Sequence, residues 1–446
     1  MTHAQAQQHL ENTLLAPLGH VTTRWLLWMG VLLLITGVGF AAYVVQLRDG
    51  LGATGMGDTV IWGVYISNFV WFSGISMAGT FISSILRMTG AEWRRPLTRF
   101  SELTTVAALM MCAIMPAVDM GRPDRLWHLL RYGRLESPLV WDIIVIPTYL
   151  TASLIYLYLF LIPDAALLRD RLEGQPSRFR RRLYTLVAAG YRGRPRQMRQ
   201  LEIGGLVMMV LVIPLGVATH SVVSWIFGLT FRAGWNSTIF APYFAVGALY
   251  SGTAALITLM YLFRRLYGFE EYLTIKHFKY LATLLGAFGM IYLYFTFAEY
   301  LTVAYKLEGG EDLLLDELFT GRYAAMVWLG FVGGQLVPVG LALTPWTRTI
   351  PILFVASILA NIGMWIKRFV IVVPSLSLPQ LPYQWGVYTA TWVELAITAA
   401  SFAGFAIVIT VFAKLFPIIS VMEMSEGLEH DSVPPQPATD SIPAAT

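Results

Sequence analysis

The sequence predicts an all-α membrane protein of about ten transmembrane helices, arranged as two four-helix bundles with flanking helices. Hydrophobic residues make up 56% of the 446 residues and charged residues only 13%, a balance typical of membrane proteins. Ten apolar runs reach the roughly 20 residues that a helix needs to cross a bilayer. Two parts of the chain also share one spacing of tryptophan, glycine and threonine.

The ten apolar runs are separated by polar segments, and several are long enough to tilt in a bilayer. The first run is too long for the core of a cleavable signal peptide and is expected to stay as a helix. We predict spans at residues 24–46, 59–88, 101–121, 139–163, 201–228, 237–267, 275–305, 322–345, 349–373 and 387–415. Pro374, Pro379 and Pro382 mark an extended loop before the last span.

The distribution of lysine and arginine predicts the orientation. Of the 31 basic residues, 21 fall in segments on the same side as the N-terminus and 10 on the other side. Cytoplasmic segments carry the basic excess, so both termini are placed in the cytoplasm of a bacterial cell (inner) membrane. An arginine-rich loop at 164–200 fits anionic lipid head groups, with docking of a cytoplasmic partner as the alternative.

The shared spacing predicts an internal repeat. Trp62, Gly74, Gly79 and Thr80 recur as Trp235, Gly247, Gly252 and Thr253. Four spans separate the copies, which gives them one orientation and an axis along the membrane normal. The glycines have a simpler alternative role, because small residues let helices approach closely. The predicted divisions are 1–23 (polar arm), 24–58 (first helix and outer loop), 59–228 (first bundle), 229–373 (second bundle), 374–422 (last helix) and 423–446 (disordered tail).

The segment between the third and fourth spans concentrates polar chemistry in an otherwise apolar chain. Asp119 ends one predicted helix and Asp142 begins the next, with Arg122, His128 and two tryptophans between them. A carboxylate near the membrane is costly and needs a reason. One interpretation is a pair of solvated helix ends, with Asp142 favoured by the helix dipole. The other is the polar wall of a pocket that exchanges protons with a lipid-soluble substrate.

Cysteine and histidine usage argues against several kinds of redox centre in this chain. Cys112 is the only cysteine, which excludes a cysteine-ligated iron–sulfur cluster and an internal disulfide. Only His220 lies well inside a predicted helix, whereas a bis-histidine haem needs two such residues. We therefore expect no haem, iron–sulfur cluster or other metal here, and no nucleic acid partner because the basic residues gather at helix ends.

The second half has its own charges within predicted spans. Glu299 lies near the outer end of the seventh helix, Lys367 and Arg368 end the ninth, and Glu394 lies two turns into the tenth. Buried ionisable groups often mark proton or ion routes. Glu299, Arg368 and Glu394 are the candidates for a proton path, and simple charge pairing, for example Arg368 with Glu394, is the favoured alternative.

These motifs together resemble the polysulfide-reductase membrane-subunit family (NrfD/PsrC-like). The residues that carry the resemblance are Asp119 to Pro123, Ser137 to Asp142 and Gly74 to Thr80. The larger members, typified by the C subunit of alternative complex III, share Thr219 to Trp225, Ile239 to Phe244, Asn361 to Trp365 and Thr391 to Glu394. The likeness covers most of residues 20–415. Met77 stands where those larger members usually have a histidine thought to contact quinol, and Lys367 where they tend to have an acid.

The resemblance implies a quinone or quinol site in a bundle near the outer face, with menaquinone or ubiquinone as substrate. It also implies partners that hold the redox centres. These are a ferredoxin-like iron–sulfur subunit, molybdopterin-type and multihaem cytochrome c subunits, and a second NrfD-like membrane subunit.

Quinol oxidation releases two electrons and two protons, and a carboxylate or histidine can accept the protons. Asp119, Asp142 and His220 come from neighbouring helices at similar depth and are the candidate acceptors. Tyr65, Asn68, Met77, Arg122 and His128 are the candidate quinone-binding residues. The alternatives are that His220 bonds a neighbouring serine or carbonyl, that Tyr65 and Asn68 join helices, and that Arg122 neutralises Asp119.

The predicted function is a quinone-interacting membrane subunit of a respiratory oxidoreductase complex, with quinol oxidation preferred over quinone reduction and proton translocation left open. Two alternatives stay open at this point. A secondary transporter fits ten helices and a parallel repeat equally well, and a membrane anchor that has lost its site fits Met77.

Overall fold

The computed structural model describes residues 3–19, 21–171, 178–379 and 385–432, and every regular element in these ranges is helical. The helices are α1 (His3–Gly19), α2 (Thr23–Asp49), α3 (Val64–Met88), α4 (Thr98–Asp119), α5 (Leu126–Tyr132), α6 (Pro138–Arg171), α7 (Arg178–Val187), α8 (Pro195–Gly228), α9 (Phe240–Leu266), α10 (Ile275–Lys306), α11 (Glu311–Phe319), α12 (Ala324–Trp328), α13 (Val337–Leu343), α14 (Ile350–Ser377), α15 (Trp392–Leu415) and α16 (Val421–Ser432). A π turn, Leu329–Leu336, joins α12 to α13.

Ten helical segments are long and apolar enough to cross a membrane, at the positions of the ten predicted spans. The prediction of an all-α membrane protein is confirmed. One boundary was wrong, because α14 continues through Pro374 to Ser377. Proline lacks the N–H that would bond one turn back, but a helix that has nearly ended can absorb this loss. Pro379 follows α14, and Pro382 lies outside the described residues.

Helix α3 is the centre of the molecule. It packs against α4 and α8, and α6 contacts both of these, which closes a first four-helix bundle. The second bundle consists of α9, α10, the α12–α13 segment and α14. Contacts of α3 with α9 and α14 join the two bundles, and α2 with α15 flanks the first. The most buried spans are therefore α3, α4 and α9.

Residues that the predicted repeat treats as equivalent meet where the bundles join. The rings of Trp62 and Trp235 stack, with centroids 6.0 Å apart and planes inclined by 25°. Gly74 on α3 and Gly247 on α9 both border the guanidinium of Arg368. These contacts agree with a two-fold relation between the halves, and the repeat itself stays a prediction.

The π turn packs unusually close to α14. A Cβ added to Gly334 would lie 2.2 Å from Cα of Gly363, so the two backbones touch at paired glycines. A π turn also widens the helix and frees backbone carbonyls, and the carbonyl of Gly334 accepts a hydrogen bond of 3.0 Å from the Tyr250 hydroxyl. Both features hold the α12–α13 segment against α9 and α14.

We expect Gly334→Ala to lower the free energy of unfolding by about 1–3 kcal/mol, the usual cost of overpacking. The added methyl has only backbone to displace at Gly363. Gly340→Ala, on the same segment, is the control, because a Cβ there meets nothing within 4 Å. Thermal unfolding of the purified variants in detergent measures the difference. Equal melting temperatures for the two variants would contradict this account.

The end of the first bundle opposite Asp119 is closed by α16. Glu423 accepts hydrogen bonds from Arg87 at 2.5 Å, Arg94 at 2.8 Å and Thr98 at 3.0 Å. The prediction of disorder from residue 423 is therefore wrong as far as Ser432, because pairing with two arginines orders the segment. Residues 433–446 of that predicted tail lie outside the described residues.

Candidate functional site

Asp119 lies in a polar group at the end of the first bundle where α4 stops, called here the Asp119 end. Its Oδ1 is buried and has no hydrogen-bond partner among the described residues. The neighbouring Gln46 donates to the carbonyl of Val118 at 2.7 Å and accepts from the Tyr65 hydroxyl at 2.7 Å. Asp119 also interacts electrostatically with Tyr65 and Glu394. The predicted neighbours Asp119 and Tyr65 thus lie together, tied by a glutamine of α2.

Glu394 is fully buried and joins three segments at the same end. Its Oε2 accepts from the backbone N–H of Gly55 at 2.7 Å and of Thr391 at 2.9 Å. Its Oε1 accepts from the Tyr388 hydroxyl at 2.6 Å, and that hydroxyl in turn accepts from the N–H of Val64 at 3.0 Å. The expected pairing of Glu394 with Arg368 is wrong, because the start of α15 turns this carboxylate toward the 50–63 loop.

Asp142 enters the first bundle from α6 and faces α4. Its side chain is 6% exposed, and Oδ1 has no hydrogen-bond partner in the described part of the chain. It acts electrostatically on the buried Cys112 of α4, which also faces Ser73 of α3. Asp142 is therefore not a solvated helix end but a buried carboxylate one helix away from α3.

His220 is buried on α8 and bridges to α3. Nδ1 lies 2.8 Å from the carbonyl oxygen of Gly216, and Nε2 lies 2.9 Å from that of Ser73. A neutral imidazole donates from only one nitrogen, so both contacts become hydrogen bonds only when the ring takes up a proton. Ser73 thus borders both Cys112, beside Asp142, and His220. No contact in the described ranges links Asp119 to this pair, so the three predicted acceptors form two groups rather than one.

The other predicted quinone-binding residues have different fates. Asn68 uses its whole amide between helices, donating to Thr398 at 3.0 Å and accepting from Trp365 at 2.8 Å. This is the packing alternative. Met77 is buried on α3 and reaches the Gly216 region of α8, one turn from His220.

Arg122 and His128 lie away from the buried acids. Arg122 is exposed and binds Asp124 through two hydrogen bonds, of 2.9 and 3.0 Å, so its expected pairing with Asp119 is wrong. That bond lowers the pKa of the Asp124 carboxyl. His128 packs edge-on against Trp127 and Tyr132 of its own short helix, and no described contact brings it to the buried acids.

The charges of the second half separate as well. Glu299 lies 3.9 Å from Lys367, whose Nζ donates to the Tyr300 hydroxyl at 2.9 Å. Arg368 points the other way, with its guanidinium over the Phe244 ring and within 3.0 Å of a Cβ added to Gly247. Its Nη1 has no hydrogen-bond partner among described residues. It interacts electrostatically with His220 and with Glu299, so one cation lies between the two bundles.

Sequence reasoning missed three members of these groups. Gln46 reads as one polar residue near the end of an apolar helix, and Tyr388 as one aromatic residue in a loop. Cys112 was considered only as a metal or disulfide residue. Helical spacing offers a weak signal for Cys112 alone, because Cys112 and Asp119 lie two turns apart on α4 and share a face.

Comparison with known proteins agrees with this architecture. Residues 52–380 match the family model described as polysulphide reductase, NrfD. A relative in Halobacterium salinarum, named as a candidate C-type membrane component of dimethyl sulfoxide reductase, is 31% identical over 341 residues, 75% of this chain and 74% of the relative. The menaquinone reductase integral membrane subunit of Nitratidesulfovibrio vulgaris is 25% identical over 409 residues, 89% of this chain and 92% of the relative.

A third relative, the C component of the selenate reductase of Mesobacillus selenatarsenatis, is 24% identical over 361 residues, 79% of this chain and 83% of the relative. The matched family model covers the first bundle and nearly all of the second. The resemblance found in the sequence is thereby confirmed at the level of the family. This chain belongs to the NrfD family of polysulphide reductase membrane proteins.

Proposed function

We propose that this chain is the quinone-interacting membrane subunit of a respiratory oxidoreductase complex and that it oxidises quinol at the Asp119 end of the first bundle. The observation that carries the proposal is the pair of buried carboxylates, Asp119 and Asp142, each with an oxygen that has no partner among the described residues. Such an oxygen is costly to bury unless something else bonds it. A quinol hydroxyl, arriving from the lipid, supplies the missing donor.

Quinol loses two protons and two electrons in this reaction and leaves as quinone. Asp142 and Asp119 each lie ready to accept a proton as general bases. The electrons pass to an iron–sulfur centre in a partner subunit, since this chain offers no cysteine set to hold one. The names of the relatives, which include membrane components of menaquinone, dimethyl sulfoxide and selenate reductases, support a partner-dependent role.

His220 takes part as a second-step proton acceptor. Uptake of a proton converts its contact with a carbonyl oxygen into a second hydrogen bond. Ser73, which accepts from His220, also faces Cys112 beside Asp142. A proton that leaves Asp142 therefore has a nearby acceptor deeper in the bundle.

The charges in the second bundle support a proton path coupled to this site. Arg368 interacts with His220 on one side and with Glu299 on the other, so a change of charge at His220 is felt at Glu299 through one intervening cation. Glu394, proposed for the same path from sequence, instead belongs with Asp119. The proposed path therefore begins at His220 and continues through Arg368 and Glu299.

The test is purification of the chain with its native partners, followed by assay of the assembled complex with a reduced menaquinone analogue. We expect an iron–sulfur subunit to co-purify and the complex to reduce a one-electron dye at the expense of the quinol. A chain that purifies alone and catalyses solute flux would instead be a transporter. An assembled complex without any quinol turnover would identify the chain as an anchor.

We expect His220→Gln to lower turnover with quinol about fivefold, the rate equivalent of one net hydrogen bond of about 1 kcal/mol. Glutamine keeps one donor toward the carbonyl of Gly216 or Ser73 but cannot take up a proton. The measurement is turnover of the assembled complex. Ser221→Ala, on the exposed face of the same helix, is the control and should keep full turnover. Equal turnover in His220→Gln and wild type would remove His220 from the proton route.

A further inference from the structure

A cavity of about 190 Å³ lies in the second bundle, separate from the acids of the first. Its walls come from α10, α11, the π turn and α14. Two of the lining side chains, Phe297 and Trp328, are 65% and 48% exposed. Exposed apolar side chains on a membrane-spanning segment face lipid, so the cavity is reachable from the bilayer.

The cavity follows from the π turn. Gly330 lines it without a side chain to fill the space, and Gly334 seats the turn on α14. The wide turn directs Gln335, 2% exposed, into the inner wall, where it accepts from Thr296 at 3.4 Å. π turns are frequent at functional sites because they displace side chains in this way.

One wall of the cavity is polar and carries little net charge. Lys367, Tyr300, Thr296 and Gln335 all line it. The Lys367 ammonium has three N–H donors; one goes to Tyr300, and the carboxylate of Glu299 at 3.9 Å balances the charge. This wall therefore offers hydrogen-bond donors without a strong net field. That chemistry favours a neutral acceptor such as a carbonyl over an anionic head group.

We propose that this cavity binds a neutral lipophilic carbonyl compound of the quinone class, as a second site distinct from the first bundle. Phe319, Trp328 and Phe331 provide aromatic surface for a planar ring. The volume lies below the roughly 300–1,000 Å³ of drug-sized pockets, so a ring enters and its tail stays in lipid. The proposal rests on the proposed function only in choosing a quinone among such compounds.

The experiment uses the purified complex in phosphatidylcholine nanodiscs and a naphthoquinone that carries a photoreactive azide. We expect crosslinks within residues 324–336, displaced by excess unlabelled methylnaphthoquinone. Val370→Phe, which fills the cavity, should lower this labelling about tenfold. Val337→Phe, 41% exposed on the lipid side of the same segment, is the matched control and should keep it. Gln335→Leu, which removes a polar group at similar volume, gives a second variant and should also lower labelling.

Three results would overturn the proposal. These are the absence of crosslinks in residues 324–336, equal loss of labelling in both valine variants, and displacement by phosphatidylglycerol but not by the naphthoquinone. The last would identify an anionic lipid as the occupant. Crosslinks in α4 and α6 report on the first bundle separately. Their absence beside retained labelling of 324–336 would count against the proposed function and not against this second site.

Discussion

Replacing Asp142 with asparagine is expected to lower quinol turnover at least about a hundredfold, the lower range for loss of a general base. The substitution keeps the size of the side chain and removes its capacity to accept a proton. Asp142 is 6% exposed and Oδ1 has no described partner, so no ion pair is broken. The complex should therefore assemble normally. The measurement is steady-state oxidation of a reduced menaquinone analogue by the assembled complex.

The matched control for this experiment is Asp124→Asn. Asp124 lies in the same polar segment but is exposed and bonded to Arg122. We expect full turnover in this variant. If Asp142→Asn and Asp124→Asn behave alike, or if Asp142→Asn weakens quinol binding without slowing the reaction, Asp142 does not accept a proton in the reaction.

The positions of the spans followed from hydrophobic runs because a bilayer demands about 20 apolar residues of each helix. The π turn at Leu329–Leu336 did not, since its cause is a backbone contact between Gly334 and Gly363 on another helix. The tail was misjudged for a related reason. Its composition suggests disorder, but Glu423 is ordered by Arg87 and Arg94, more than 300 positions earlier in the chain.

For the candidate site, sequence was a good guide to which residues are buried and a poor guide to which ones meet. Asp119, Asp142 and His220 were found because an ionisable group inside a span is costly. Their division into two groups depends on the packing of α2 and α15 against the first bundle. Glu394 was assigned to the wrong half for the same reason, because its partner Gly55 is 339 residues away.

Glu394→Ala is expected to lower the free energy of unfolding by about 3–6 kcal/mol, as each buried donor left without an acceptor costs about 1–3 kcal/mol. The donors are the N–H groups of Gly55 and Thr391 and the hydroxyl of Tyr388. The loss also frees the 50–63 loop from the start of α15, and with it the cover over Asp119. Thermal unfolding in detergent, followed by tryptophan fluorescence, measures the change.

Two further variants separate the hydrogen bonds of Glu394 from its charge. Glu394→Gln keeps one acceptor oxygen and should recover about half of the lost stability. Glu136→Ala, an exposed glutamate in the outer segment, should stay within about 0.5 kcal/mol of wild type. Because Glu394 acts electrostatically on Asp119, the glutamine variant should also shift the pH dependence of quinol turnover while the fold is retained. A glutamine variant as unstable as the alanine variant, with an unchanged pH profile, would show that Glu394 only anchors the loop.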